Sequence, residues 1–332
     1  MAEARWKHIL DHENLQRSSH VASVIGHNLY VFGGELVPRE PRDEKVFSID
    51  LDAAELSVIT KKADSTPSPR VGSASTVLGD QLYVFSGRGG VAMKPIEQKG
   101  ALWCYDPRTS AWLLINPSDI DAPFPVARSY HCMTTDKTDR IFVHAGCPES
   151  GRLSDLWSFS LSDQTWTRLT DAPAPERGGS SIAFSNNKVY RMNGFDGKTE
   201  QGGSIDVFDL AQNTWSTLNY SADGISGPEA RSVSVLLSLS LKGKEMLLTL
   251  FGERDPSSLG HAGAGRMLGD IWLYDTAEEA WTKVETNSST APPSRGWFDA
   301  DVVDESKVVI TGGLSESNER LRDVWMLSFD GI

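Results

Sequence analysis

The chain has 332 residues, enough for one large domain or two ordinary ones, and carries 32 Lys and Arg against 45 Asp and Glu, a formal charge of −13 that repels a phosphate backbone; with no local basic patch, nucleic acid is excluded as an expected partner. Its three cysteines, Cys104, Cys132 and Cys147, are odd in number and match no zinc spacing, which excludes a disulfide framework and leaves them as small buried hydrophobes. The opening M-A-E-A-R-W-K-H lacks the apolar core of a secretory leader and no apolar run approaches a membrane span, so the chain is expected to be soluble and cytoplasmic, with no membrane partner.

Taken in order, the sequence repeats itself. A strand ending in glycine recurs as V-F-G-G (Val31 to Gly34), V-F-S-G (Val84 to Gly87), V-H-A-G (Val143 to Gly146), R-M-N-G (Arg191 to Gly194), T-L-F-G (Thr249 to Gly252) and I-T-G-G (Ile310 to Gly313). Each copy opens on an arginine: Arg17, Arg70, Arg128, Arg177, Arg231 and Arg295. A further strand such as D-L-W-S-F-S follows, then a turn and a tryptophan (Trp112, Trp166, Trp215, Trp281), with Leu56 in the first copy's place. The regular recurrence of the arginines argues that they build each unit, and no catalytic role is assigned to them.

A period of roughly fifty residues with glycine-ended strands and a late tryptophan resembles the kelch repeat, a four-stranded blade of a β-propeller. The resemblance implies an all-β, six-bladed kelch β-propeller forming one domain over 1–332. The sixth copy stops at its third strand, D-V-W-M-L-S-F-D, and Arg5 to Leu10 supplies the missing fourth, so the last blade is expected to be closed by the N-terminal strand.

Within each unit the links between first and second and between third and fourth strands are short, as in Gly26-His27-Asn28 and Asp106-Pro107-Arg108, and read as hairpins. Strands alternate direction, so the longer loops, those after each glycine and those carrying the arginines, must share the opposite face. That rim would gather Glu253 with Arg88, Arg152, Phe195, Asp196, Tyr130 and Trp297.

The segment L-F-G-E-R-D-P-S-S-L-G-H-A-G-A-G-R-M-L-G-D (250–270) departs most from the repeat. Glu253, Asp255 and His261 offer hard carboxylate oxygens beside an imidazole, the donor set a divalent metal such as Fe(II) accepts, or else acids that cap turns in a solvated loop. Arg88 and Arg152, in corresponding loops of adjacent units, would make an anion site or pair with rim acids. Tyr130 and Trp297 follow unit-opening arginines and either wall a cavity or pack the blades.

Together with G-R at 87–88, G-R-L at 151–153, R-S-Y-H-C-M at 128–133, G-F-D-G at 194–197 and S-R-G-W at 294–297, this loop resembles the specifier proteins of glucosinolate breakdown: the nitrile-specifier, epithiospecifier and thiocyanate-forming proteins. The resemblance implies an Fe(II)-dependent lyase that diverts a thiohydroximate-O-sulfate, delivered by a hydrolase partner, toward nitriles and related products. Glu253, Asp255 and His261 would hold the iron, Arg88 and Arg152 would act on the sulfate, and Tyr130, Phe195 and Trp297 would contact the anionic small-molecule substrate. In that family the two acids and the histidine are evenly spaced by four positions. Here Ser257 stands at the midpoint and Asp255 sits two positions early. The alternative class is a non-catalytic kelch protein-protein interaction module, which needs no convergence of Glu253 and His261.

Overall fold

The computed structural model describes residues 2–59, 66–286 and 289–330. Among them the regular elements are strands, apart from two short 3-10 turns at Glu13–Leu15 and Gly260–Ala262, and no helix is long and apolar enough to cross a membrane. The strands form six four-stranded antiparallel blades, the fifth and sixth joined into one eight-stranded sheet by parallel pairing of residues 2–4 with 284–286. Blade I is Ser18–Ile25, Asn28–Val37, Val46–Asp50 and Glu55–Ile59, and blade II is Ala74–Leu78, Gln81–Phe85, Leu102–Asp106 and Ala111–Ile115. Blades III and IV run from Cys132–Thr135 to Thr165–Leu169 and from Ser181–Ser185 to Thr214–Asn219; blade V runs from Val235–Leu241 to Ala280–Thr286. Blade VI joins Asp299–Val303, Lys307–Thr311 and Asp323–Asp330 to the N-terminal strand Ala2–Asp11.

The residue pattern of each strand matches its place. Second strands such as Leu29-Tyr30-Val31-Phe32 are buried along their whole apolar run, because both faces of the sheet are covered by neighbouring blades. Fourth strands such as Thr165–Leu169 are largely exposed, with Trp166 turned inward. The first strands line a central channel with Ser23, Ser75, Thr134, Ser181 and Ser238, small hydroxyl side chains that tolerate water.

The ring closes in three ways. Neighbouring first strands pack edge to edge all the way round, blade VI returning to blade I. The N-terminal strand pairs antiparallel with Asp323–Asp330, from Glu3 opposite Asp330 to Asp11 opposite Asp323, and Trp6 stacks on Phe251 of blade V at 5.9 Å. At the hub, six equivalent residues link peptide to peptide: Ser19, Gly72, Tyr130, Gly179, Val233 and Trp297. Each N–H donates to the carbonyl of its counterpart in the preceding blade, and Ser19 donates to Trp297 at 2.8 Å to complete the annulus. All six adopt positive φ, between 47° and 62°. At Gly72 the close approach of the Tyr130 ring also matters, since a Cβ there would meet it at 2.8 Å.

The unit-opening arginines have the constructional role expected of them. All six are buried, and each donates from Nη1 to a backbone carbonyl at the end of its own blade's second strand, at 2.6 to 3.2 Å. Arg128, Arg231 and Arg295 add bidentate pairs to Asp155, Asp270 and Asp323.

Candidate functional site

Above the annulus the chain continues into a second set of equivalent positions, the residue after each repeat glycine. Glu35, Arg88, Cys147, Phe195, Glu253 and Leu314 each bridge to the residue following the unit-opening arginine of the same blade. Each blade therefore places one residue at an equivalent position of the repeat. Arg88, Cys147, Phe195 and Glu253 line a cavity of about 450 Å³ together with Tyr130 and Trp297 from the annulus and Arg39, Arg152, Glu200, Ser257 and His261 from the loops. The rim expected from strand direction is thus formed, except that Asp196 stays outside the cavity, accepting from the N–H groups of Lys198 and Thr199.

Glu253 is 5% exposed; one carboxylate oxygen accepts from the Gly265 N–H at 2.6 Å and the other from Trp297 Nε1 at 3.1 Å. Burial pushes its carboxyl above the usual range, against the opposing pull of those donors and of His261. His261 Nε2 lies 3.1 Å from an oxygen of the buried Glu35 and 3.4 Å from the Tyr130 hydroxyl, its ring against Tyr130 and Trp297. Glu35 in turn receives Arg320 at 3.3 Å and the Arg39 N–H at 2.7 Å.

Asp255 is not brought to this group. Its backbone turns left-handed (φ 53°), and its carboxylate, 63% exposed, faces Arg254 Nε at 3.3 Å outside the cavity. The donor set implied for iron consequently does not fit a common ion: both Glu253 oxygens hold N–H donors, His261 is engaged by Glu35, and among the described residues no three His, Cys, Asp or Glu side chains converge as a metal requires. The residue that sits two positions early in the loop is thus a left-handed one (φ 53°) directly before Pro256, with its carboxylate outside the cavity.

The two rim arginines differ. Arg88 is held in the wall, donating to Ser129 Oγ at 2.7 Å, the Met93 carbonyl at 3.1 Å and the Pro148 carbonyl at 2.6 Å. Arg152 stacks its guanidinium over the Phe195 ring at 5.1 Å and has neither a hydrogen bond nor an ion pair among the described residues, its Nε being buried without a partner. Glu200 has a buried, unpartnered Oε1, and burial raises its carboxyl, Glu253 and Asp255 adding to the shift. Glu35, Glu200, Arg39 and Cys147 escape a reading of motifs; Glu35 and Cys147 were legible as counterparts of Arg88 and Glu253 in the repeat register.

Comparison with known proteins bears on both the frame and the site. Residues 19–252 match the KLHDC2/KLHL20/DRC7 Kelch-repeats domain. The chain is 25% identical over 338 residues to an N-(sulfonatooxy)prop-2-enimidothioate sulfolyase of Thlaspi arvense, covering 94% of this chain and 92% of that protein. It is 22% identical over 320 residues to the leucine-zipper-like transcriptional regulator 1 homolog of Drosophila melanogaster and 27% identical over 314 residues to Adagio-like protein 3 of Oryza sativa subsp. japonica. It covers only 31% and 46% of those two longer proteins. With the family model spanning most of its blades, the chain belongs to the kelch-repeat propellers, as a divergent relative of the specifier-type sulfolyases.

Proposed function

We propose that this propeller handles an anionic small molecule in its rim cavity, in the manner of the sulfolyase it resembles, with Arg152 as the anion contact. The observation that carries the reading is the Arg152 guanidinium, stacked on Phe195 and without an acid partner, in an aromatic-walled cavity of about 450 Å³. A cavity of that size suits a small organic molecule, and a guanidinium held in no ion pair, although Asp196 lies near enough to feel its charge, is available for a sulfate or carboxylate. In the family-implied reaction the ligand would be a thiohydroximate-O-sulfate supplied by a hydrolase, and Arg152 would bind the sulfate as it departs. Tyr130 and Trp297, edge to face at 5.3 Å, would hold the organic part and exclude water. No step is routed through iron, because Asp255 lies outside the cavity.

The test pairs binding with product analysis. Phenyl sulfate should bind the wild type and lose about tenfold or more in affinity with Arg152→Gln, the loss of one charge-assisted contact. A glucosinolate hydrolysed in the presence of the protein should yield nitrile-type products at the expense of isothiocyanate. Absence of phenyl sulfate binding together with unchanged isothiocyanate would reject the reading. One observation favours the interaction-module alternative: Leu36, Val37, Val91 and Leu259 expose apolar side chains on the cavity-side loops. In that case a bound protein, not a small molecule, would protect those loops from proteolysis.

A further inference from the structure

The charges around the cavity are sorted by blade. Arg39, Arg88 and Arg152 come from blades I, II and III, whereas Glu200 and Glu253 come from the loops of blades IV and V. In a six-membered ring blade II stands opposite blade V, so Arg88 and Glu253, at equivalent positions of the repeat, face each other across the hub. Among the described residues none of these three arginines approaches either acid within the 4.0 Å of an ion pair. Opposite charges therefore share one cavity without neutralising each other.

Two buried atoms sharpen the point. Arg152 Nε, a donor, and Glu200 Oε1, an acceptor, both lack partners. Each such group loses hydration on burial with nothing in return. Neither atom is open to solvent, so a ligand would meet the other nitrogens and the other oxygen of these two groups; a simple anion on the Arg152 guanidinium would sit beside two carboxyls. A simple cation would do the reverse. Tyr130 and Trp297 add aromatic walls of the kind that accept an apolar body or the hydrogens of an ammonium group.

Resting on the anion-binding reading above, we infer that the ligand is a zwitterion of amino-acid size, its carboxylate or sulfate on Arg152, its ammonium toward Glu200 and Glu253, and its apolar part against Tyr130 and Trp297.

The experiment uses the full chain and four probes in calorimetric titrations at neutral pH: L-phenylalanine, N-acetyl-L-phenylalanine (anion only), L-phenylalaninamide (cation only) and phenyl sulfate. L-phenylalanine should bind about tenfold or more tightly than either singly charged analogue, as expected for one added charge-assisted contact. Glu200→Gln should remove that advantage while leaving N-acetyl-L-phenylalanine and phenyl sulfate unweakened. Arg152→Gln should weaken L-phenylalanine and both anions. Circular dichroism melts of the two variants establish that each is folded. Binding of phenyl sulfate without preference for L-phenylalanine, or indifference of L-phenylalanine to Glu200→Gln, overturns the zwitterion and leaves the anion reading standing. Failure of all four probes to bind overturns the zwitterion and, together with unchanged isothiocyanate output, overturns the anion reading as well.

Discussion

Arginine does two jobs in this chain, and its surroundings decide which. Arg128 is fully buried and holds Asp155 through both carboxylate oxygens, at 2.6 and 2.8 Å, and the Ala145 carbonyl at 3.0 Å. Arg128→Met would leave Asp155 buried with only the Trp157 indole N–H as donor. Breaking such a pair costs about 3–5 kcal/mol, and urea denaturation should show it. Arg152 holds no hydrogen-bond or ion-pair partner among the described residues and would give up only its stacking on Phe195. Its replacement by Gln should shift stability by no more than about 0.5 kcal/mol while weakening anion binding, which separates a ligand contact from a structural one. The sequence pointed to this division through recurrence: the six unit-opening arginines repeat in register, whereas Arg152 falls outside it. It left Arg88 and Arg152 looking alike, because the carbonyls that engage Arg88 come from the folded loops at Met93 and Pro148.

At the scale of elements, the hub annulus and the blade VI strand make the sharpest predictions. Gly72 holds φ +62° beneath the Tyr130 ring. Gly72→Ala adds both a strained backbone and a clash, so a loss of about 1–3 kcal/mol is expected in a thermal or urea melt. In Asp299–Val303, Asp299 and Asp301 reach across the seam between the last and first blades, accepting the N–H groups of Ala22 and Val24 at 2.7 Å each. Desolvation beside the channel pushes their carboxyls up to about 7 and about 6, the neighbouring Asp301 adding to the shift of Asp299. A carboxyl raised on folding binds its proton more tightly in the folded state. Its stabilising contribution is complete below about pH 4 and is lost as pH climbs through the folded value. Asp299→Asn keeps the acceptor and removes the titration, so its stability relative to wild type should rise between pH 4 and pH 7; a flat difference curve would contradict the assignment. Charge on these two residues was visible in D-A-D-V-V, but the seam that partly covers them was not.

Across the whole molecule, closure ties the two ends of the ring together. Eight register pairs between the N-terminal strand and Asp323–Asp330, with Trp6 stacked on Phe251, bind the start of the chain to its last two blades. Deleting residues 1–11 would expose both the edge of Asp323–Asp330 and the apolar surface that Trp6 covers, so a lower melting temperature and concentration-dependent aggregation should follow in light scattering. The number of units, the strand pattern, the closing strand and the face bearing the long loops were all determined by the sequence alone. They follow from local periodicity and from the alternation of strand direction, which need no distant contacts. The tertiary structure alone decided which rim residues meet. Asp255 turns outward on a left-handed backbone, Glu35 reaches His261 from 226 positions away, and Arg152 and Glu200 remain unpaired in a shared cavity. These outcomes depend on the loop paths and on the ring bringing remote blades to one axis, and neither is encoded in the spacing of residues along the chain.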